Sequence, residues 1–263
     1  MKRNIKITVW IIAAVVLLAG IILGAPVIKS YVDDILNPPF DETSIFPVEG
    51  RESPADTTIV VNGVAVKMIG VKGGKINCKG RRKTIELDDF YIGETEVTQE
   101  LWMAIMGENP SVHQDSMQCP VENVDLLECV EFVHKLDSVS GIEFYIQSYP
   151  EWLYVAHLGR RDADSSYNED SMSWYKENSD SIPHPVKLKK PNALGVYDMI
   201  GNVSEWTLSG SDPLFFVVGG SYETEKECLR IDGYDIDHAS VKMGSIGLRL
   251  VCFLKTVQKQ TEY

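Results

Sequence analysis

The chain has 263 residues, of which 44% are hydrophobic and 24% charged, a balance typical of a globular protein and not of a disordered one. Its formal net charge is −13 at pH 7. Because an excess of negative charge repels phosphate backbones, we expect no nucleic-acid partner.

The N-terminal segment predicts a membrane anchor. Residues 8–28 form a run of 21 positions without a formal charge, long enough to cross a hydrocarbon core of roughly 30 Å as a helix. Lys2, Arg3 and Lys6 precede this run, and basic flanks stay in the cytoplasm. We therefore predict a cytoplasmic tail at residues 1–7, a single transmembrane helix at 8–28 and an extracytoplasmic location for the rest. A cleaved signal peptide is the alternative, although its apolar region would be unusually long.

Residues 29–57 are predicted to be a linker that holds a folded domain away from the membrane. Prolines and glycines interrupt a polar stretch that has neither helical nor strand periodicity. The domain is predicted to span residues 58–255, and a polar tail follows at residues 256–263.

The first part of the domain predicts β structure. Apolar segments at residues 58–61 and 64–68 flank Asn62-Gly63, a dipeptide typical of a type I′ hairpin turn. Further strands are indicated at residues 84–87 and 90–92. Near the C-terminus, residues 215–218 and 246–253 again have the composition of strands.

Three helices are predicted between residues 98 and 159. Their N-terminal signals are Thr98, Asp125 with Glu128, and Ser148 with Glu151, and the glycines that end them are Gly107, Gly141 and Gly159. The second helix is expected to bury an apolar stripe formed by Leu127, Val130, Val133 and Leu136. Residues 160–188 then predict a long loop, which is uncommon in a compact domain unless it lies on the surface or binds something.

Residues 195–206 carry the strongest functional signal. They read Gly-Val-Tyr-Asp-Met-Ile-Gly-Asn-Val-Ser-Glu-Trp, which combines turn-forming Gly and Asn with two carboxylates and a large aromatic side chain. This mixture is typical of a folded loop and not of a helix or strand. It resembles the hallmark sequence of the formylglycine-generating enzyme (sulfatase-modifying factor) family, and we call residues 195–206 the hallmark segment.

Further landmarks extend the resemblance over roughly residues 60–253. They lie at residues 90–99, 109–111, 120–124, 148–152, 184–186, 189–195, 219–222 and 247–249, and their order and spacing are those of the family. The resemblance implies an α+β domain with an irregular, C-type-lectin-like fold and little regular secondary structure, preceded in this chain by one transmembrane helix.

The resemblance also implies a structural calcium ion in the hallmark segment. Its ligands would be side-chain oxygens of Asp198 and Glu205 and the backbone carbonyls of Gly201 and Val203. Ca²⁺ takes about six to eight oxygen ligands, and a turn rich in Gly and Asn lets carbonyls converge. The alternative, in which Asp198 caps a turn and Glu205 forms a salt bridge, stays open.

The catalytic chemistry of the family is expected shortly after Gly219-Gly220-Ser221-Tyr222, where its enzymes carry two cysteines that bind copper(I). Thr224 stands at the position of the first cysteine. Cys228 matches the second and is the candidate catalytic residue, with Arg230 and Trp206 as candidates for substrate binding. Thiolates are the soft ligands that Cu(I) prefers, and one thiolate cannot reproduce a two-thiolate site.

Residues 145–149 and Ser204 also depart from the family motifs. These departures favour a non-catalytic domain that binds, or helps to assemble, an extracytoplasmic protein or glycan of the cell envelope. The alternative is a copper-dependent oxidase that uses Cys228 to convert a substrate cysteine to formylglycine.

Outside the cytoplasm the five cysteines could form disulfides, and an odd number leaves at least one thiol. The sequence does not determine how the cysteines pair. Cys228 with Cys252 and Cys119 with Cys129 are two possibilities, and the sequence suggests no pairing for Cys78.

Overall fold

The computed structural model describes residues 39–160 and 169–254. The predicted cytoplasmic tail (1–7), transmembrane helix (8–28) and C-terminal polar tail (256–263) lie outside these ranges. Within them, no helix has both the length and the apolar character needed to cross a membrane.

The chain divides into a small unit, residues 1–44 with 77–84, and a large unit, residues 45–76 with 85–263. In the described part of the small unit, the N–H of Phe40 donates to the carbonyl of Arg81 at 2.8 Å, and the N–H of Gly80 donates to the carbonyl of Phe40 at 2.9 Å. The hydroxyl of Thr84 donates to Oδ1 of Asn77 at 2.7 Å. The helices of residues 39–160 and 169–254 belong to the large unit, together with almost all strand residues of these ranges.

Short strands outnumber helices in the described ranges. The strands are β1 (Ser44–Pro47), β2 (Thr57–Val61), β3 (Val64–Val71), β4 (Gly74–Asn77), β5 (Ile85–Leu87), β6 (Phe90–Gly93), β7 (Phe144–Ile146), β8 (Ser204–Ser211), β9 (Leu214–Val218), β10 (Tyr234–His238), β11 (Ile246–Gly247) and β12 (Leu250–Cys252). The helices are α1 (Gln99–Met106), α2 (Leu126–Ser140), α3 (Tyr149–Leu158) and α4 (Glu169–Met172), and Lys226–Cys228 forms a 3₁₀ turn. The prediction of an α+β fold is confirmed.

A five-stranded sheet in the order β2-β3-β6-β12-β7 forms the centre of the large unit. The predicted hairpin is its first strand pair, in which β2 and β3 run antiparallel from Thr57 opposite Met68 to Val61 opposite Val64. Asn62 and Gly63 both have positive φ, +49° and +85°, as a type I′ turn requires.

The three predicted helices are confirmed together with their caps. The hydroxyl of Thr98 accepts the N–H of Leu101 at 3.2 Å, and both predicted capping boxes are complete. Trp102 of α1 stacks on Phe132 of α2 with ring centroids 4.8 Å apart. Helices α1 and α2 therefore meet through aromatic side chains in the hydrophobic core.

The predicted apolar stripe of α2 is confirmed at Val133 and Leu136, which are buried, and at Val130, which packs against the core, but it is wrong at Leu127. Leu127 is 66% exposed, whereas Leu126 is 3% exposed. The buried face consists of Leu126, Cys129, Phe132, Val133 and Leu136. Both patterns fit a period of 3.6 residues, and packing against the sheet selects the face that carries Phe132.

Two further sheets frame the hallmark segment and the N-terminal edge of the domain. The first has the order β10-β9-β8-β11, and β8 starts at Ser204, inside the hallmark segment. The second, β1-β4-β5, includes residues 44–47, which the sequence analysis assigned to the linker. Residues 246–253, expected as one strand, are divided between β11 and β12, which belong to different sheets.

Candidate functional site

The hallmark segment runs as a loop from Gly195 to Val203 and then enters β8. Four of its residues have left-handed backbone angles: φ is +85° at Gly195, +53° at Asp198, +84° at Gly201 and +58° at Asn202. Glycine adopts such angles without steric cost, and Asp and Asn tolerate them better than most residues. The composition that predicted a folded loop therefore has a conformational reason.

Gly201 is the tightest point of the loop. A Cβ atom at this position would lie 2.1 Å from the carbonyl oxygen of Trp174. The N–H of Gly201 donates to the carbonyl of Gly219 at 3.0 Å, and the N–H of Asn202 donates to that of Trp174 at 2.8 Å. The carbonyl of Asn202 in turn accepts the N–H of Tyr222 at 2.8 Å. The loop is thus fixed to the segment before it and to the Gly-Gly segment after it.

Arg249 connects both ends of the hallmark segment and is fully buried. Its Nε and Nη2 atoms donate to Oε1 of Glu205 at 2.9 and 2.7 Å. Nη2 also donates to the carbonyls of Tyr197 and Asp198 at 2.9 and 3.3 Å, and Nη1 donates to the carbonyl of Gly93 at 3.1 Å. One guanidinium therefore ties the start of the loop, the start of β8 and the end of β6 together.

The carboxylate of Glu205 has partners on both oxygens. Arg249 contacts Oε1, and Nε2 of Gln147 donates to Oε2 in a short hydrogen bond. Gln147 lies in the stretch where the sequence departs from the family motif. Glu205 therefore forms a buried salt bridge, and its role as a calcium ligand stays a prediction.

Two further carboxyl groups lie in the same buried region. Asp198 accepts the N–H of Lys187 on Oδ2 at 3.0 Å, while its Oδ1 is buried without a hydrogen-bond partner. Glu96 accepts only long hydrogen bonds, from the N–H of Val203 at 3.4 Å and from Nδ2 of Asn202 at 3.5 Å. Burial, and then the charge of Asp198, raise the pKa of Glu96 well above its usual range, and burial raises the pKa of Asp198 to about 6. Both groups take up a proton more readily than a solvated carboxyl.

The four predicted calcium ligands lie in one short loop and at the start of β8, and their role as calcium ligands stays a prediction. Glu205 offers a carboxylate that already binds Arg249 at 2.7 Å, and Asp198 contacts the same guanidinium through its carbonyl. A positive charge this close repels a second cation from these oxygens. Over residues 39–160 and 169–254, no three side chains of His, Cys, Asp or Glu are placed to hold a metal ion. Gly201 and Val203 lie in the loop as predicted, and the carboxyl groups of Asp198, Glu205 and Glu96 lie in the same buried region.

Thr224 has a structural task in the segment that follows Gly219-Gly220. Its Oγ1 accepts the N–H of Ser221 at 2.9 Å, and its own N–H donates to the carbonyl of Ser221 at 3.0 Å. This reciprocal pair closes a tight turn, as short hydroxyl side chains do when they bond to nearby backbone. The position of the family's first cysteine is thus filled by a residue that stabilises the turn and offers no thiol.

Cys228 is exposed in the 3₁₀ turn, and Arg230 is exposed beside it. The remaining cysteines, Cys78, Cys119, Cys129 and Cys252, are buried. Neither Cys228 with Cys252 nor Cys119 with Cys129 forms a disulfide. Burial raises the pKa of Cys119 to about 11 and that of Cys252 to about 12, so both stay protonated at neutral pH. One exposed thiol does not fit a two-thiolate copper(I) site.

Trp206 is a core residue in this structure, and its predicted part in substrate binding stays a prediction. It is fully buried in β8, and its Nε1 donates to the carbonyl of Val124 at 3.0 Å. Trp102 and Trp152 are buried as well. Trp174 is only half-buried and stacks on His184 with centroids 3.8 Å apart. Most of the tryptophans therefore serve packing.

A further buried carboxyl group, that of Glu122, was not singled out by the sequence signals. Its Oε1 accepts the N–H of His113 at 2.7 Å and lies 3.3 Å from Nδ1 of that ring, while Oε2 is buried without a hydrogen-bond partner. Tyr222 packs edge-on against His113 with centroids 5.5 Å apart. Burial raises the pKa of Glu122. The position of this acid between Val121 and Val124, which are both fully buried, was a signal that could have found it.

Comparison with known sequences agrees with the resemblance seen in the motifs. The family profile described as the sulfatase-modifying factor enzyme 1-like domain matches residues 47–253. The chain is also 28% identical to the chaperone protein LppX of Paenibacillus barcinonensis, with 60% of this chain and 72% of that protein covered.

Solved structures share the fold. Variable protein 1 of Treponema denticola superposes with a TM-score of 0.68 at 25% identity and covers 76% of this chain and 99% of its own. PvdO from Pseudomonas aeruginosa superposes with a TM-score of 0.64 at 18% identity, and the match covers 78% of this chain and 100% of PvdO. The second similarity concerns the fold alone.

A pair of glycine substitutions tests the geometry of the loop. Gly195→Ala places a Cβ in open space, so it should cost only the penalty of a left-handed alanine, about 1–2 kcal/mol in the free energy of unfolding. Gly201→Ala adds the collision with the carbonyl of Trp174 and should cost about 4 kcal/mol or more, the range of severe steric misfits. Urea denaturation measures both values, and equal losses would contradict the close approach at Gly201.

The pH dependence of stability tests the burial of Glu122. At low pH the Glu122 carboxyl is protonated in both the folded and the unfolded state. Because burial raises its pKa in the folded state, the carboxyl ionises first in the unfolded chain as the pH rises above about 4. The wild type should therefore lose stability relative to Glu122→Gln as the pH rises toward the folded pKa, by at most about 1.4 kcal/mol per pH unit. Denaturant titrations of both proteins over this interval measure the difference, and parallel profiles would contradict the prediction.

Proposed function

The chain belongs to the sulfatase-modifying factor family, and from this membership we propose that it is a non-catalytic member, anchored in the membrane, that binds a protein or glycan of the cell envelope or assists its assembly. The observation that carries the proposal is that Thr224 occupies the place of the family's first catalytic cysteine, which leaves Cys228 without a second thiol.

Two features of that position support a non-catalytic role. Thr224 uses its hydroxyl to close the turn with Ser221, and Cys228 is left as a single exposed thiol. Oxidation of a substrate cysteine through Cu(I) needs a soft ligand set that one thiolate does not supply. The described part of the domain nevertheless has a buried hydrophobic core and a hallmark segment held by hydrogen bonds. A retained fold without the thiol pair favours recognition over catalysis.

A relative supports the direction of the proposal. LppX is named as a chaperone, a class of protein that acts on other proteins by binding them. In this chain the corresponding task would be carried out at the membrane surface, because the uncharged run at residues 8–28 and its basic flank favour an anchor with the domain outside the cytoplasm. The net charge of −13 favours partners other than nucleic acid.

The oxidase alternative rests on Cys228 and Arg230. Both side chains are exposed and lie two residues apart, as in the second half of the family's catalytic motif. If the protein is such an oxidase, calcium would be a structural ion and copper(I) the catalytic metal.

The test of catalysis uses the full chain in detergent, kept reduced and titrated with Cu(I). We expect no tight copper binding and no formylglycine in a peptide that carries a sulfatase-type cysteine motif, as measured by mass spectrometry. Cys228→Ser should behave like the wild type, and an active member of the family serves as positive control. Copper binding and peptide oxidation by the wild type that disappear in Cys228→Ser would establish the oxidase instead.

The location of the domain can be tested with the same cysteine. Cys228 is the exposed thiol among cysteines that are otherwise buried, so a membrane-impermeant maleimide should label it in intact spheroplasts. The Cys228→Ser variant should not be labelled, and lysed cells provide the full-labelling control. Labelling that requires lysis would place the domain in the cytoplasm and refute the proposed topology.

A further inference from the structure

The sheet that contains β8 ends at β10. Its strand order is β10-β9-β8-β11, so β10 pairs with β9 on one side and with no strand of residues 39–160 or 169–254 on the other. A strand at such an edge directs alternate backbone N–H and C=O groups away from its neighbour. Four of the five residues of β10 are exposed, which leaves these groups accessible to a partner.

The two faces of β10 differ in chemistry. Side chains alternate along a strand, so Tyr234 and Ile236 share one face while Asp235 and Asp237 share the other. On the apolar face, Ile236 is 54% exposed and Tyr234 is 44% exposed. The ring of Tyr234 stacks on Phe216 of β9 with centroids 4.1 Å apart. This edge therefore presents apolar side chains that are accessible and, at Tyr234, fixed in position by packing.

The other face carries negative charge that no nearby cation balances. In the part of the chain that the structure describes, neither Asp235 nor Asp237 forms an ion pair. Burial, and then the charge of Asp235, raise the pKa of Asp237. Asp232, just before the strand, is different, because its Oδ1 lies 2.9 Å from Nε2 of His157. The strand thus alternates apolar side chains with unpaired carboxylates.

Resting on the proposed function of a protein-binding domain, we propose that the open edge of β10 binds an extended segment of a partner protein in which apolar and basic side chains alternate. The segment adds a strand to the sheet, and its backbone pairs with the free N–H and C=O groups of β10. Its apolar side chains lie beside Tyr234 and Ile236, and its lysines or arginines lie beside Asp235 and Asp237. The net charge of −13 attracts such a segment from a distance.

The same charges oppose the pairing of two copies of this chain. If two β10 strands paired antiparallel about Ile236, Asp235 of each copy would lie opposite Asp237 of the other. A parallel pair in register would place each aspartate beside its counterpart. Like charges directly opposite each other in a sheet are destabilising, and charged side chains on an edge strand protect against self-association. Charge complementarity therefore favours a basic partner over a second copy.

The first test measures the binding of a fluorescein-labelled peptide in which valine and lysine alternate over about eight residues, within the usual length of a strand. Fluorescence anisotropy with the full chain in detergent gives the Kd. We expect saturable binding that is lost when every second amide nitrogen of the peptide is methylated, because these amides can no longer pair with β10. A peptide with glutamate in place of lysine should not bind. Absence of binding by the unmodified peptide, or equal binding of the methylated one, would overturn the inference.

The second test locates the site with a pair of matched double variants. Asp235→Asn combined with Asp237→Asn should raise the Kd by about twofold to thirtyfold, the range for two opposite-charge pairs across neighbouring strands. Asp88→Asn combined with Asp115→Asn removes two exposed carboxylates elsewhere and should leave the Kd unchanged. Equal Kd values for the two double variants would show that the peptide binds away from β10.

Hydrogen exchange, followed by mass spectrometry on the wild type, gives a readout that needs no variant. The peptide should slow exchange in residues 234–238, and protection confined to another segment would overturn the inference. Slow exchange at 234–238 that grows with protein concentration without peptide would identify a second copy as the occupant, and would overturn it too. The proposed non-catalytic function fails by a different result, copper binding and peptide oxidation that require Cys228.

Discussion

The buried ion pair between Arg249 and Glu205 is the interaction on which the rest of the domain depends. Moving two charges out of water costs several kcal/mol for each ion, and the cost is offset only when the geometry is good and the remaining donors find acceptors. Here three nitrogens of the guanidinium reach a carboxylate and three backbone carbonyls. The pair therefore joins β6, the hallmark segment and β8 in a single buried contact.

Such a contact is needed because much of this region has no regular secondary structure. Backbone N–H and C=O groups that are not paired within helices or sheets must find partners elsewhere, since a buried unpaired group costs about as much as a lost hydrogen bond. Asn202 illustrates the solution: its amide both accepts from and donates to the backbone of His184, and its own backbone bonds to Trp174 and Tyr222. The loop is specified by polar contacts and left-handed residues more than by apolar periodicity.

The same arrangement explains how the turn at position 224 forms without the first cysteine of the family motif. At position 224 the structure needs an acceptor for the N–H of Ser221, and a threonine hydroxyl provides it. The turn beside the Gly-Gly segment therefore closes without the thiol that copper chemistry requires. In this region the fold depends on short-range hydrogen bonds, whereas catalysis depends on the chemical identity of one atom.

The sequence by itself determined the features that depend on a few neighbouring residues. The caps of α1, α2 and α3, the Asn62-Gly63 turn and the irregular path of the hallmark segment all follow from local sterics and hydrogen bonds. Tertiary structure alone decided which face of α2 is buried, where residues 246–253 change sheets and why Trp206 lies in the core. It also decided the partner of Glu205, because that partner is 44 residues away in sequence, and the carbonyl of Gly93 that completes the site is 156 residues from Arg249. Contacts across such distances are formed by the packing of whole elements, and no local pattern encodes which charge will meet which.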